Sequence, residues 1–369
     1  MAAFNDLQLL LMGLGFALAT FFGWVAQKSN FCTMGALSDI VNMGDWTRMR
    51  MWGMALGVAM LGFWSLAWLG LIDSDRSVYS TRRILWLSAL CGGLLFGFGM
   101  VLASGCASKN LLRLGAGSLK ALLVLIVMAA SALITQRGFL MDWRNQSVDQ
   151  VHIETIELSS LLPSALAHSG ALPLASAGLL LGLLAGSTLI AWALRDPVFR
   201  QDRLFILGGL GVGLSVAAMW WVSGDVGLVA EHPLTLEASY LHGSGPSYEA
   251  LSFVGPAART IDWLIGNSPL SMGSALVGGI ILGAALQSIQ SGTFHVEGLH
   301  GARDTVLHLL GALCMGIGGI TAGGCTIGQG VSGLSTLSIV SLIATAGIMA
   351  GGVLGLRFQA WLLAREQTP

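Results

Sequence analysis

The sequence predicts an all-α polytopic membrane protein of about nine transmembrane helices plus short re-entrant or broken helices, arranged as two inverted pseudo-symmetric halves. Three observations carry this reading. The chain is 54% hydrophobic and only 10% charged, whereas a soluble surface needs about a quarter of its residues charged. Apolar runs of about twenty residues, each long enough to cross the hydrocarbon core of a bilayer, recur from one end to the other. Between them lie four stretches too polar or glycine-rich for a lipid-facing helix and too apolar for an open loop.

Taken in order, the expected spans are 7–26, 51–72, 84–104, 118–136, 173–194, 204–222, 270–289, 304–322 and 335–356. The first has neither a basic n-region nor a small-residue cleavage pattern, so it reads as a retained helix rather than a signal peptide. Alternating the connections puts twelve cations on one side, Lys28, Arg48, Arg50, Lys109, Arg113 and Lys120 among them. The other side holds six: Arg76, Arg82, Arg83, Arg137, Arg144 and Arg259. By the positive-inside rule the N-terminus is then outside and the C-terminus cytoplasmic. The whole chain, 1–369, reads as a single transmembrane domain, its halves near 1–136 and 173–356.

The connections 137–172 and 223–269 both fall outside and carry Asp142, Asp149, Glu154, Glu157, Asp225, Glu231, Glu237, Glu249 and Asp262. They read as periplasmic caps. Apolar spacing in 151–167 suits an interfacial helix, with Trp220, Trp221 and Trp263 as belt anchors. A net charge of −1 without a basic block excludes a nucleic-acid partner.

The four irregular stretches are 29–39, 103–115, 291–304 and 322–333. Irregular backbone at membrane depth is tolerated only where protein or a water-filled path surrounds it, so these are the candidate broken helices. An internal repeat links them. At an offset of 219, Gly97, Gly99, Ala103, Gly105 and Cys106 meet Gly316, Gly318, Ala322, Gly324 and Cys325; at 263, Gln27, Phe31 and Gly35 meet Gln290, Phe294 and Gly298. Inverted repeats with broken helices at their seam are how secondary transporters build a site near the midplane.

Five cysteines with no C-x-x-C pair argue against a disulfide framework, a zinc site and a dithiol redox centre, and no cofactor or metal is expected. Cys91 and Cys314 lie inside ordinary apolar spans and read as small hydrophobes. Cys32, Cys106 and Cys325 each fall in an irregular stretch. A thiol is a weak donor with a polarizable surface, suited to a soft sulfur atom, while the backbone N–H groups of half-helices starting after each cysteine meet an anion's charge. A lysine there would hold a divalent anion too tightly to release it.

Lys109 and Arg113 share a helix face at the cytoplasmic mouth, where they guide an anion or merely snorkel to the interface. His295, matched to Cys32 at the 263 offset, is followed by Glu297, His300, Arg303 and Asp304, which read either as a coupling cluster or as a salt-bridged hairpin. Gln329 follows Cys325 within the last stretch. The candidate substrate-binding set is therefore Cys32, Cys106, Cys325, Lys109, Arg113, His295 and Gln329, with no catalytic residue.

Segments 97–122 and 316–330 resemble the two cysteine signatures of the YeeE/YedE membrane proteins, and 30–39 resembles the third; the order and span count agree over nearly the whole chain. The resemblance implies a bacterial inner-membrane transporter that imports thiosulfate, with Cys32, Cys106 and Cys325 relaying the ion. It also implies a small cytoplasmic TusA-like sulfurtransferase as partner. Selenium or other sulfur species are alternative substrates. A membrane sulfurtransferase or thiol oxidoreductase working through a persulfide is the enzyme alternative, but that chemistry needs a resolving partner near a reactive thiol. A non-transporting scaffold or sensor leaves the broken helices unexplained.

Overall fold

The computed structural model describes residues 2–154, 161–168, 173–229, 238–241, 247–298 and 301–366. Fifteen α-helices succeed one another there. The first eight are α1 (Ala2–Lys28), α2 (Thr33–Met43), α3 (Thr47–Trp68), α4 (Trp86–Leu102), α5 (Ala107–Gly115), α6 (Leu119–Arg137), α7 (Phe139–Gln146) and α8 (Leu162–His168). The rest are α9 (Leu174–Leu194), α10 (Pro197–Gln201), α11 (Arg203–Trp221), α12 (Val254–Leu264), α13 (Met272–Gln290), α14 (Ala302–Thr321) and α15 (Ile339–Glu366). Among the described residues nine spans are long and apolar enough to cross a bilayer, built on α1, α3, α4, α6, α9, α11, α13, α14 and α15. Each coincides with an expected apolar run.

Four of these helices stop in the same way. After α1, Phe31 N–H donates to Ala26 O at 2.9 Å; after α4, Gly105 N–H donates to Met100 O at 2.8 Å; after α13, Thr293 N–H donates to Ser288 O at 2.9 Å; after α14, Gly324 N–H donates to Gly319 O at 2.8 Å. The residue before each donor is left-handed: Asn30, Ser104, Gly292 and Gly323, with φ of 52°, 52°, 68° and 73°. This closure turns the chain sharply off the helix axis. Cys32, Cys106, Phe294 and Cys325 stand two residues beyond the left-handed residue. The endings of α4 and α14 therefore match at an offset of 219; those of α1 and α13, which pack parallel with Gly279 facing Phe16 O and Gly283 facing Thr20 O, fall 262 apart rather than 263, so Phe294, not His295, stands where Cys32 does relative to its turn.

Glycine lets the spans touch backbone to backbone. A Cβ on Gly92 would lie 2.8 Å from Gly318 O and one on Gly318 2.7 Å from Gly92 O, while Gly99 and Gly311 meet reciprocally at 2.6 Å. Adding 219 to 92 and subtracting it from 318 yields the second pair, so the antiparallel α4–α14 contact maps onto itself. Likewise Gly97 faces Ile348 O of α15, and Gly316 faces Met128 O of α6. Close approach of this kind is how helices associate where lipid removes the hydrophobic drive.

The segments that follow Cys106 and Cys325 differ by one residue. From Cys106 to Ser118, which caps α6 by accepting from Ala121 N–H, the chain runs as the regular helix α5. From Cys325 to Ser338 it is one residue longer, and the excess is taken up in a π-helical turn, Gly328–Gly333. Such turns absorb single-residue insertions and concentrate at functional sites.

The outer connections differ from plain caps. Residues 247–254 descend into the bundle: Tyr248, Leu251, Phe253 and Val254 are fully buried, and Tyr248 exchanges backbone bonds with Arg76 and Val78. On α12, buried Asp262 pairs with Arg137 at 2.5 Å. The expected interfacial helix over 151–167 is instead a two-residue strand, Ile153–Glu154, paired with Arg83–Ile84, with α8 further along. Its middle, with Glu157, lies outside the described residues, as do Glu231, Glu237 and His300. Trp220 is not a belt anchor: it is wholly buried and donates to Ser335 Oγ at 3.1 Å, whereas Trp221 and Trp263 are exposed.

Candidate functional site

The sharp turns after α1, α4 and α14 aim three chain segments inward, and a cysteine begins each. Cys32 is the N-cap of α2, its sulfur accepting from Gly35 N–H at 3.3 Å. Cys106 is the N-cap of α5, with Ser108 Oγ at 3.2 Å from its sulfur. Cys325 accepts from Gly328 N–H at 3.4 Å and also meets the amides of Ile327 and Phe253. A backbone N–H thus donates to the sulfur of Cys32 and of Cys325, whereas Cys106 stands at the positive end of α5 with the Ser108 hydroxyl as its partner.

The three sulfurs share one interior region. Cys106 lies close enough to Cys32 and to Cys325 for each pair to interact electrostatically, and Thr326, next to Cys325, is buried with its hydroxyl unpartnered. All three are buried free thiols. Cys91, by contrast, is exposed on the outside of α4 and Cys314 is half-buried, as expected of small hydrophobes in a span.

Cations gather on the Cys32–Cys106 side. Lys109 Nζ donates to Asn30 Oδ1 at 2.6 Å, and Arg113 donates to Ser104 O at 3.2 Å. These contacts tie α5 to the two left-handed residues that set up the cysteines. Arg48, which the sequence reading did not single out, pairs with Asp39 at 3.3 Å. A Cβ on Gly35 would lie 2.7 Å from its guanidinium, so it closes over the start of α2.

The Cys325 side opens instead onto a cavity of about 210 Å³ whose lining includes Tyr79, Arg83, Arg144, Thr321, Gly323 and Gln329. Gln329 is buried at its floor and donates from Nε2 to Ala322 O at 2.8 Å. Tyr79 donates to Gly328 O at 2.6 Å, and burial pushes its phenol well above the usual range, so it stays a neutral donor. At the rim Asp149 accepts from Ser88 Oγ at 2.5 Å and from Arg144 Nε at 2.8 Å.

His295 does not join the cysteines. It is exposed, with Nδ1 at 2.9 Å from Thr293 O and its backbone paired to Ala116. Asp304 pairs with Lys120 and lies 3.4 Å from His308, so the polar residues of this stretch brace α6 against α14. The sequence reading missed Phe253, Tyr79 and Thr326, which carry no pattern of their own and reach the site only through tertiary packing.

The Sulphur transport family model matches residues 28–354. The thiosulfate transporter TsuA of Spirochaeta thermophila is 29% identical over 360 residues, 95% of this chain and 99% of the relative. The thiosulfate transporter TsuA of Escherichia coli K12 is 26% identical over 320 residues, covering 84% of this chain and 83% of the relative. With the family match running from the end of α1 into α15 and taking in all three cysteine turns, the chain belongs to the Sulphur transport family, the YeeE/YedE membrane proteins that its cysteine signatures resemble.

Proposed function

We propose that this protein imports thiosulfate across the bacterial inner membrane, passing the ion from Cys325 to Cys106 and Cys32 along the seam of two inverted halves. The observation that carries the proposal is that three buried free thiols each stand just beyond the same sharp helix ending, Cys106 within electrostatic reach of the other two. Backbone amides supply distributed positive charge without a fixed cation. That lets a divalent anion enter and leave, which a buried lysine at the same depth would prevent. The soft terminal sulfur of thiosulfate suits a chain of thiols better than the hard oxygens of sulfate do.

The cavity over Gln329, with Arg83 and Arg144 at its margin, is the periplasmic vestibule in this reading, and Lys109, Arg113 and Arg48 draw the ion to the cytoplasmic mouth. The N-terminus is then periplasmic and the C-terminus cytoplasmic. A TusA-like sulfurtransferase receives the sulfur on the cytoplasmic side. His295, exposed and remote in contact from the thiols, has at most an outer role.

The test is uptake of labelled thiosulfate by proteoliposomes without added reductant or acceptor protein. The parental protein accumulates label, and Cys106→Ala and Cys325→Ala each reduce the initial rate about tenfold or more, the scale of losing a hydrogen bond to a charged ligand. Parental rates in both variants refute the relay. Label that enters only with an acceptor protein present points to the sulfurtransferase reading instead.

A further inference from the structure

Polar atoms buried without a partner are rare because each forfeits its hydration for nothing. Here several collect around the π-helical turn Gly328–Gly333. Trp52 Nε1 on α3, Ser341 Oγ and Thr345 Oγ1 on α15, and Gln329 Oε1 have no hydrogen-bond partner. Their residues are 8%, 0%, 8% and 3% exposed. Two glycines of the turn locate them. A Cβ on Gly330 would sit 3.1 Å from the Trp52 ring and 3.9 Å from Thr345 Oγ1; one on Gly333 would sit 2.3 Å from Ser341 Oγ and 3.0 Å from Gln329 Oε1. Ser341 and Thr345 are one helical turn apart and share a face of α15. The turn begins at the residue whose amide already binds the Cys325 sulfur.

An indole N–H can only donate, and a hydroxyl can turn to donate. Trp52, Thr345 and Ser341 therefore offer three buried donors around the π turn that follows Cys325. The equivalent face of α6 has Ala121 and Leu125 where α15 has Ser341 and Thr345, so the two hydroxyls belong to α15 alone. Packing thus does not require them.

Resting on the transport reading, we propose that Trp52, Thr345 and Ser341 form an oxyanion subsite that holds the oxygen-bearing end of the passing ion while Cys325 contacts its sulfur end. The subsite makes Cys325 the position at which a sulfur oxyanion is told from an ion of sulfur alone. The later thiols, lacking such donors on the α6 face, do not discriminate.

The experiment uses the full-length protein in proteoliposomes with labelled thiosulfate, and with hydrosulfide and sulfite as competitors. Thr345→Val keeps the shape and removes the hydroxyl, Thr345→Ser keeps the hydroxyl, and Trp52→Phe removes the indole N–H. Thr345→Val and Trp52→Phe should raise KM for thiosulfate about tenfold, the factor for one charge-assisted bond, with maximal rate within about twofold. Sulfite should compete about tenfold less well and hydrosulfide unchanged, while Thr345→Ser restores parental values. A merely structural role would instead lower the maximal rate and the melting temperature without altering the competitor ratio, and that result overturns the subsite. Parental KM and competition in both variants overturn it as well. Absence of thiosulfate uptake by the parental protein would overturn the transport reading and the subsite together, so the two failures are distinguishable.

Discussion

The segments after Cys106 and after Cys325 start from the same helix ending and diverge within one turn. After Cys106 the chain forms a regular helix with Lys109 and Arg113 on one face, both tied to the neighbouring turns. After Cys325 it forms a glycine-rich π turn without a single charge, held by Tyr79 and lined by unpartnered donors. One inserted residue separates them. The difference shows that like helix endings deliver two thiols while the segment beyond each sets its surroundings: tethered cations after Cys106, neutral donors after Cys325.

The largest expected effect comes from breaking the contacts that the halves share. Gly97 and Gly316 are repeat equivalents, and a Cβ on either would fall 2.1 Å from Ile348 O or 1.9 Å from Ser131 Oγ. Gly97→Leu and Gly316→Leu should therefore each destabilise the protein by about 3 kcal/mol or more, as overpacking at a backbone contact does. Thermal melts in detergent check this, with Gly13→Leu as the control, since a Cβ there meets nothing within 4 Å. A marked inequality between the two variants would break the equivalence of the halves.

Much of this architecture was legible in the residues alone. Nine spans came from apolar runs, because lipid demands continuous helices of fixed length. The split of Cys32, Cys106 and Cys325 from Cys91 and Cys314 came from glycine-rich flanks, and the structure buries the first three while leaving Cys91 exposed and Cys314 half-buried. What did not show were features that depend on one residue of register or on contacts between distant segments. Counting matches placed His295 opposite Cys32, whereas the left-handed residue at Gly292 places Phe294 there. Residues 247–254 read as outer loop because their burial comes from Tyr79, Trp220 and the π turn, none of which is near in sequence. Trp52 and Thr345 looked like ordinary span residues for the same reason.

A smaller effect sharpens the contrast in charge. Replacing Lys109 by Gln keeps a donor for Asn30 but removes the charge, and should slow thiosulfate uptake a few-fold at low salt, with the difference shrinking as ionic strength shortens the Debye length toward about 3 Å at 1 M. The corresponding change on the other side, Gln329→Glu, places an anion on the vestibule floor and should slow uptake more at every salt concentration, because a buried charge is screened far less than an exposed one. Initial rates across a salt series separate the two. If Lys109→Gln were insensitive to salt, the cations would serve only to orient the chain in the membrane.

The smallest effect concerns how the cationic side is held in place. Asp45, between α2 and α3, accepts from Thr47 N–H at 2.9 Å and from Thr47 Oγ1 at 2.6 Å, and those bonds lower its carboxyl below the usual carboxylate range. They fix the first turn of α3, from which Arg48 reaches the start of α2. A group whose pKa is depressed by folding contributes fully above its unfolded value near 3.9 and loses that contribution as pH falls through the lower folded value. Asp45→Asn should therefore cost no more than about 1 kcal/mol at pH 7, and the gap from the parental protein should begin to narrow below about pH 4. Melting curves from pH 7 down to 3 test this. A gap undiminished from pH 7 to pH 3 would mean that the side chain acts through its shape rather than its charge, and that Arg48 is positioned by Asp39 alone.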